Sequence, residues 1–472
     1  MKRIEPLIPI FYIDFYKVGH VSQYPKGTKY IWSNWTARYT HRVNSHHVTA
    51  FGLTYFIKRY LIQEFNENFF GKPWPQIEAQ YREVISATLG VANPKTDHLE
   101  WLWRYGKLPL AIYGVPEGTD VPYNFPMMVL TNTQPEAFWL VNYIETLMSN
   151  VMWIASTSAT TAKRYRKIFM DASRSFGNKD FGFVDWQGHD FSFRGMSGIE
   201  SACLSGMGHL LSFSGTDTVP AILTARDYYG APLTVGGSVP ATEHSVMCAG
   251  SKEGELETFR RLITEVYPEG TVSIVSDTWD LWKVLHEYVP QLRNEILSRK
   301  RGKVVIRPDS GDPVEISLKS LSILREVMGV DDNGLINGMA LIYGDAITED
   351  RAKKIVKGAI DLNLNPYNEV FGIGSYTYQM KTRDTDGLAM KATCVDLGNG
   401  PEAIFKDPVT DSAGKKSHRG IPVVFTDDNG EWQIQETLDP RMLDQCSFKK
   451  FFEDGQLLFE ESFDEIRKRA RQ

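Results

Sequence analysis

Cysteine is scarce in this 472-residue chain. There are four, Cys203, Cys248, Cys394 and Cys446, and no two are close enough for a CxxC-type zinc or redox motif. So few thiols in so long a chain argue against a disulfide framework and suit a reducing, intracellular compartment. Long apolar runs are also missing, so no membrane-spanning helix is expected. The opening Met-Lys-Arg runs into Glu5 and Pro6, so no secretory leader is expected and the chain reads as cytoplasmic. A basic excess is absent. The 52 Lys and Arg against 58 Asp and Glu give a formal net charge of −6, which argues against a coat for nucleic acid or an anionic membrane but permits local basic pockets. There is no HExxH and no His/Cys cluster to suggest a zinc site.

What is present is a core-forming composition, 42% apolar and 23% charged, in a chain long enough for roughly two to four domains. The first part, 1–150, is aromatic-rich and mixed. Strands are expected over Tyr30–Trp35, Leu108–Val115 and Met127–Thr131. Helices are expected over Phe51–Phe65 and Gln134–Met152, with a Ser/Thr-rich stretch after the latter. From about residue 180 the style changes. Val272–Val275, Lys303–Ile306 and Met339–Ile342 each precede a polar loop and a helical pattern, and Glu369–Phe371 follows as a further strand. Successive strand–loop–helix units predict a parallel α/β architecture over 151–390, with Ser276 and Thr348 as helix N-caps. The remainder, 391–472, returns to short strands such as Ile421–Phe425 and Trp432–Glu436. It is expected to pack with the N-terminal part as one discontinuous β-rich unit.

The loops after the strands carry Asp277, then Arg307 and Asp309, then Gly344 and Asp345, then Gly372, Gly374 and Ser375. In barrels and open α/β sheets the carboxyl ends of strands hold the active site. Three earlier segments add chemistry. His189-Asp-Phe-Ser-Phe-Arg-Gly195 joins rings able to stack on a flat heterocycle with a guanidinium suited to phosphate. Gly215-Thr-Asp-Thr218 offers Asp217 in a polar turn. Gly236-Gly-Ser-Val-Pro-Ala-Thr-Glu-His-Ser245 brings His244, which can move a proton or accept a phosphoryl group near neutral pH.

Together these stretches resemble the nicotinamide phosphoribosyltransferase family. Asp14-Phe-Tyr-Lys-Val18, Phe405-Lys-Asp-Pro-Val409 and Ser462-Phe-Asp-Glu-Ile-Arg467 extend the match in the family's order almost to both ends. The resemblance implies a fold of an irregular α/β barrel plus a β-rich α+β domain built from both chain ends. It also implies a homodimer with active sites shared across the interface. The implied reaction is transfer of phosphoribosyl from phosphoribosyl pyrophosphate to nicotinamide in NAD salvage, with magnesium carried on the substrate phosphates. ATP is the implied co-substrate, phosphorylating His244. Nicotinate phosphoribosyltransferase is the alternative.

The resemblance places Phe191 and the partner-supplied Tyr16 on the two faces of the pyridine, with Asp217 at the carboxamide. Ser238, Val239 and Ala241 are implied to line the base tunnel, with Ser273 nearby. Arg194, Arg307, Arg383, Asp309, Gly344, Asp345, Gly374 and Ser375 are implied around ribose and phosphates, and Arg38, Lys391, Lys406 and Lys415 as further cations there. Glu243 and Asp277 are expected to orient the His244 ring. One departure stands out: where the family has consecutive glycines, this chain has Gly374-Ser375-Tyr376.

Overall fold

The computed structural model describes residues 6–408, 417–427 and 429–472. Lys415 lies outside the described residues. Two sheets organise the molecule. The first has seven antiparallel strands in the order Pro401–Ala403, Leu388–Asp396, Tyr30–Ala37, Pro126–Asn132, Leu110–Gly114, Lys449–Glu453, Gln456–Leu457. Both chain ends therefore contribute to one sheet, as expected. The Tyr30–Ala37 strand sits between Leu388–Asp396 and Pro126–Asn132, pairing Asn34 with Lys391 and with Val129. The long helix Glu145–Phe176 runs past residue 150, and the strand Leu388–Asp396 runs across residue 390.

The second sheet is all parallel, in the order Gly215–Thr216, Gly188–Asp190, Glu369–Ile373, Met339–Tyr343, Val304–Arg307, Val272–Val275. Its two edges are joined by one irregular segment. Gly237 bridges Gly215 at one edge, and Ala241 bridges Ser273 at the other. Thr216 N donates to Gly237 O at 2.9 Å and Ser273 N to Pro240 O at 2.9 Å. The sheet is thus curled into an irregular barrel, because the loop rich in Gly and Pro that breaks regular pairing is also long enough to span the gap.

Two readings of the sequence are corrected. The Ser/Thr-rich stretch does not follow a helix but lies inside the 32-residue helix Glu145–Phe176. Its hydroxyls are satisfied in place. Thr160 and Thr161 each donate to the carbonyl four residues earlier at 2.7 Å, and Ser156 Oγ donates to Phe51 O at 3.0 Å. Tertiary packing overrides weak propensity there. Ser276 is not an N-cap, since its hydroxyl donates to Ile274 O at 2.6 Å. Asp280 caps that helix by accepting from Trp282 N and Lys283 N. Thr348 caps its helix as expected, accepting from Arg351 N.

The long helix joins the two halves. Val151, Ala155 and Ala159 lie in the core under the antiparallel sheet, while Tyr165, Phe169 and Ala172 lie in the core beside the barrel. The C-terminal helix Phe463–Ala470 does the same by polar means. Phe463 and Ile466 enter the first core. Arg467 donates to Phe213 O at 2.9 Å, Ser214 Oγ at 2.6 Å and Val235 O at 3.2 Å on the barrel side. All four cysteines are free. Among the described residues no helix is long and apolar enough to cross a membrane.

Candidate active site

A cavity of about 980 Å³ runs through the barrel interior. Seven of the expected residues line it: Phe191, Asp217, Ser238, Val239, Ala241, Ser273 and Arg307. Its walls include Val305, Ala340 and Ile342, a small apolar cluster against which Phe191 packs. The Phe191 ring has room because two strand-end positions are glycine. A Cβ on Gly372 would sit 2.5 Å from the ring and one on Gly344 3.2 Å from it. The Arg307 guanidinium lies 5.3 Å from the Phe191 ring centroid, a cation–π contact. One face of a flat aromatic ligand therefore has a fixed platform.

Asp217 sits beside that platform, its backbone N–H donating to Asp190 O at 3.0 Å. Its Oδ1 accepts from Ser238 Oγ at 2.6 Å and bonds His189 Nε2 at 2.9 Å. Burial alone would raise the Asp217 pKa. The bonds from His189 and Ser238, with the charge of Arg307, outweigh burial and hold the carboxyl below its ordinary value. Ser273 Oγ is buried and has no partner among the described residues, so it is a polar atom available to a ligand.

The second group lies at the carboxyl ends of the next strands. His244 is half-exposed at the start of the helix His244–Ala249. Its Nδ1 is 3.1 Å from Thr278 Oγ1, and its Nε2 is 4.0 Å from both Asp277 Oδ1 and Asp309 Oδ2. Asp277 is held rigidly. Its Oδ2 accepts from Asp309 N at 2.8 Å and Ser310 Oγ at 2.6 Å, while Oδ1 is buried with no hydrogen-bond donor among the described residues. Burial raises the Asp309 pKa; Arg307 opposes this, and neighbouring Asp277 and Asp345 add to it. Glu243 does not take the orienting place expected for it. From its extended N-cap position it accepts instead from Ser245 Oγ, and Thr278 is the group that holds the ring.

At the final strand, Gly374 and Ser375 open the short helix Ser375–Tyr378, where Thr377 N donates to Gly374 O at 3.0 Å. Serine in place of glycine is accommodated because its side chain occupies the space left by Gly195. Tyr376 points outward and is 54% exposed. Arg194 and Arg383 are exposed. Gly344 and Asp345 follow the strand Met339–Tyr343.

The structure does not bring every expected residue to this cavity. Tyr16, Arg38, Lys391 and Lys406 belong to the antiparallel half, and the cavity wall contains no residue before Gly177. They gather elsewhere. Burial lowers the Lys391 pKa; Glu145 opposes this, and the nearby cations Arg38, Lys406 and Lys17 reinforce it. Tyr16 is 62% exposed. Arg38 Nε donates to Gly387 O at 3.1 Å.

His189 was not singled out from sequence as a site residue. Period-two alternation could have found it, since it shares a face with Phe191 two residues on. Trp186, Tyr367 and Lys303 also line the cavity and carry no sequence signal of their own.

Comparison with known proteins identifies the family. Residues 186–451 match the nicotinate phosphoribosyltransferase (NAPRTase) family, and residues 10–69 match the N-terminal domain of nicotinamide phosphoribosyltransferase. The chain is 44% identical to nicotinamide phosphoribosyltransferase of Acinetobacter baylyi, over 100% of this chain and 98% of that one. It is 32% identical to the protein of that name from Xanthomonas campestris pv. campestris, over 97% of each. In fold it is similar to nicotinate-nucleotide pyrophosphorylase from Pyrococcus furiosus, with TM-score 0.61 and 16% identity, covering 100% of this chain and 97% of that one. Human nicotinic acid phosphoribosyltransferase aligns with TM-score 0.57 and 16% identity, over 97% and 92% of the chains. The match along the whole length of a relative 44% identical, with family models fitting both parts of the chain, shows that this protein belongs to the nicotinamide phosphoribosyltransferases of the NAPRTase family.

Proposed function

We propose that the chain transfers the 5-phosphoribosyl group from phosphoribosyl pyrophosphate to nicotinamide, giving nicotinamide mononucleotide and pyrophosphate for NAD salvage in the cytoplasm. The observation that carries this reading is the Phe191 ring beside an ionised Asp217 in a cavity of heterocycle size or larger. The pyridine nitrogen is already a nucleophile, so the main demand is positioning. Phe191 supplies the plane. Asp217 accepts from the carboxamide NH2, and Ser273 Oγ is within the same wall. Nicotinate would bring a second negative charge to Asp217 in a partly desolvated place, which disfavours the acid.

As the C–N bond forms and the C–O bond to pyrophosphate breaks, positive charge gathers on the anomeric carbon and negative charge on the leaving group. Cations fixed at the leaving group lower that barrier. Arg307 is at the cavity, joined in this reading by Arg194 and the N–H groups of Gly374 and Ser375, while Arg383, close enough to act on Tyr16, belongs with the second group of cations. Among the described residues no group of three or more His, Cys, Asp or Glu side chains is arranged to hold a metal alone. Asp309 and Asp345 would help hold a magnesium ion carried on the substrate phosphates, and the ion when bound would supply charge neutralisation for the leaving diphosphate.

We assign His244 as the phosphoryl acceptor. Its Nε2 attacks the γ-phosphorus of ATP, forming an N–P bond as the bond to the β-phosphate oxygen breaks and ADP leaves. Contact with Thr278 and the facing carboxylates Asp277 and Asp309 support this placement. The partner subunit of a homodimer supplies Tyr16 for the open face of the pyridine and Arg38, Lys391 and Lys406 for the phosphates. The test is product analysis with donor, magnesium and either nicotinamide or nicotinate, with and without ATP. Nicotinamide mononucleotide is expected. Product from nicotinate alone, or none from either base, contradicts the reading.

A further inference from the structure

His189 lines the cavity wall and has no role in the reaction as described. It is 7% exposed, lies on the barrel strand Gly188–Asp190, and its ring meets Phe191 edge-on at 5.0 Å between centroids. On its other side the ring is pressed against backbone. A Cβ at position 215 would sit 2.7 Å from His189 Nδ1 and 3.0 Å from Gly188 O, so only glycine leaves the ring where it is. The ring cannot swing away without displacing Phe191 or the Gly215 strand.

That clamped ring aims Nε2 at Asp217 Oδ1, 2.9 Å away. An ionised carboxylate only accepts, so Nε2 carries the hydrogen and the tautomer is fixed. Ser238 Oγ donates to the same oxygen at 2.6 Å. Two donors thus converge on Oδ1 from two different elements. Oδ2 is left without a donor among the described residues. The charge of Arg307 also acts on this carboxylate.

We propose that His189 is a positioning residue that sets the preference for amide over acid, by holding Asp217 ionised and oriented so that only Oδ2 is offered to the substrate. The inference rests on the nicotinamide reading above and explains how its selectivity is maintained. A carboxyl at this position rejects nicotinate only while it stays ionised. Protonated, it would donate to the nicotinate carboxylate and admit the acid. Free to rotate, it could turn away from either base. The His189 donor penalises both escapes, because each breaks a charge-assisted bond.

The test compares wild type with His189→Leu, which removes the donor, and His189→Gln, which keeps an N–H near the Nε2 position. Thermal melting establishes that each is folded. Nicotinamide binding is measured calorimetrically, and steady-state kinetics are measured with each base. In His189→Leu the nicotinamide Kd and KM are expected to rise on the order of tenfold, with kcat changed less, and the nicotinamide-to-nicotinate kcat/KM ratio to fall by a similar factor. His189→Gln is expected to recover most of both. An unchanged ratio in His189→Leu, or a Gln variant no closer to wild type than Leu, overturns the inference. Wild type that makes no nicotinamide mononucleotide overturns instead the reading on which it rests, so the two failures are distinguishable.

Discussion

Asp217 offers two carboxylate oxygens at the residue scale, and the protein occupies one of them with His189 and Ser238. The remaining oxygen is the one available to a ligand amide. Replacing Asp217 by Ala should lower kcat/KM for nicotinamide by about ten- to a hundredfold, the size of a hydrogen bond to a charged group, and erode discrimination against nicotinate. Steady-state assays with both bases check this; unchanged discrimination would remove Asp217 from the role. For His244, the Ala variant should take up no label from γ-labelled ATP and lose ATP stimulation, and retained label would contradict the assignment. Part of the candidate site was legible: Phe191, Asp217, His244 and Asp309 sit in short motifs, and the structure puts Phe191 and Asp217 in one cavity wall, while the carboxamide role of Asp217 came from the family resemblance. What was not legible is which neighbour holds which group. Glu243 adjoins His244 in sequence, yet Thr278, thirty-four positions away, holds its ring. Contacts of that kind are made by barrel closure, which local sequence does not encode.

Elements were easier to read where period and turn chemistry agree. Four of the six parallel strands fall within a residue or two of the expected spans because their apolar runs end at polar or glycine-rich loops, while the short strands Gly188–Asp190 and Gly215–Thr216 were not expected. The Ser/Thr-rich part of Glu145–Phe176 was read as an interruption, since its hydroxyls find partners only in the folded protein. A buried acid at the start of a barrel strand gives this scale its test. Glu369 is 1% exposed; burial pushes its pKa up to about 8, against a bond from Ser317 Oγ at 2.5 Å that favours the charged form. Its folded pKa thus lies above its unfolded one. The folded state alone keeps the proton between the two values, so the contribution of Glu369 to stability is full below the ordinary carboxyl range and is lost as pH rises through about 8. Glu369→Gln should remove that loss, a gain of order a few kcal/mol on the alkaline side. Melting temperatures across the pH range check it. The variant should gain on wild type as pH rises, and a constant difference would contradict the buried, protonated state.

Across the whole molecule the expected site residues are divided. The barrel cavity is walled by residues from Gly177 to Val370, while Tyr16, Arg38, Lys391 and Lys406 lie on the antiparallel half. A dimer in which each copy completes the other's site accounts for the division. Subunit mixing tests it. Phe191→Ala and Tyr16→Ala should each be impaired alone. Unfolded and refolded together, they should recover about a quarter of wild-type activity, because half the dimers then carry one intact site. A mixture no more active than its components would contradict sharing. The two-sheet architecture was foreshadowed by the change of style along the sequence, but the segment Gly236–Thr242 that closes the barrel was not. Its irregular backbone has no strand periodicity, and its pairing becomes visible only when both sheet edges are in place.

The most direct measurement is a crystal structure of the protein with nicotinamide mononucleotide bound. The account predicts the pyridine stacked on Phe191, its carboxamide nitrogen within about 3.2 Å of Asp217 Oδ2, and its phosphate among Arg307, Gly344 and Ser375. A ligand ordered elsewhere, with its ring away from Phe191, would contradict it.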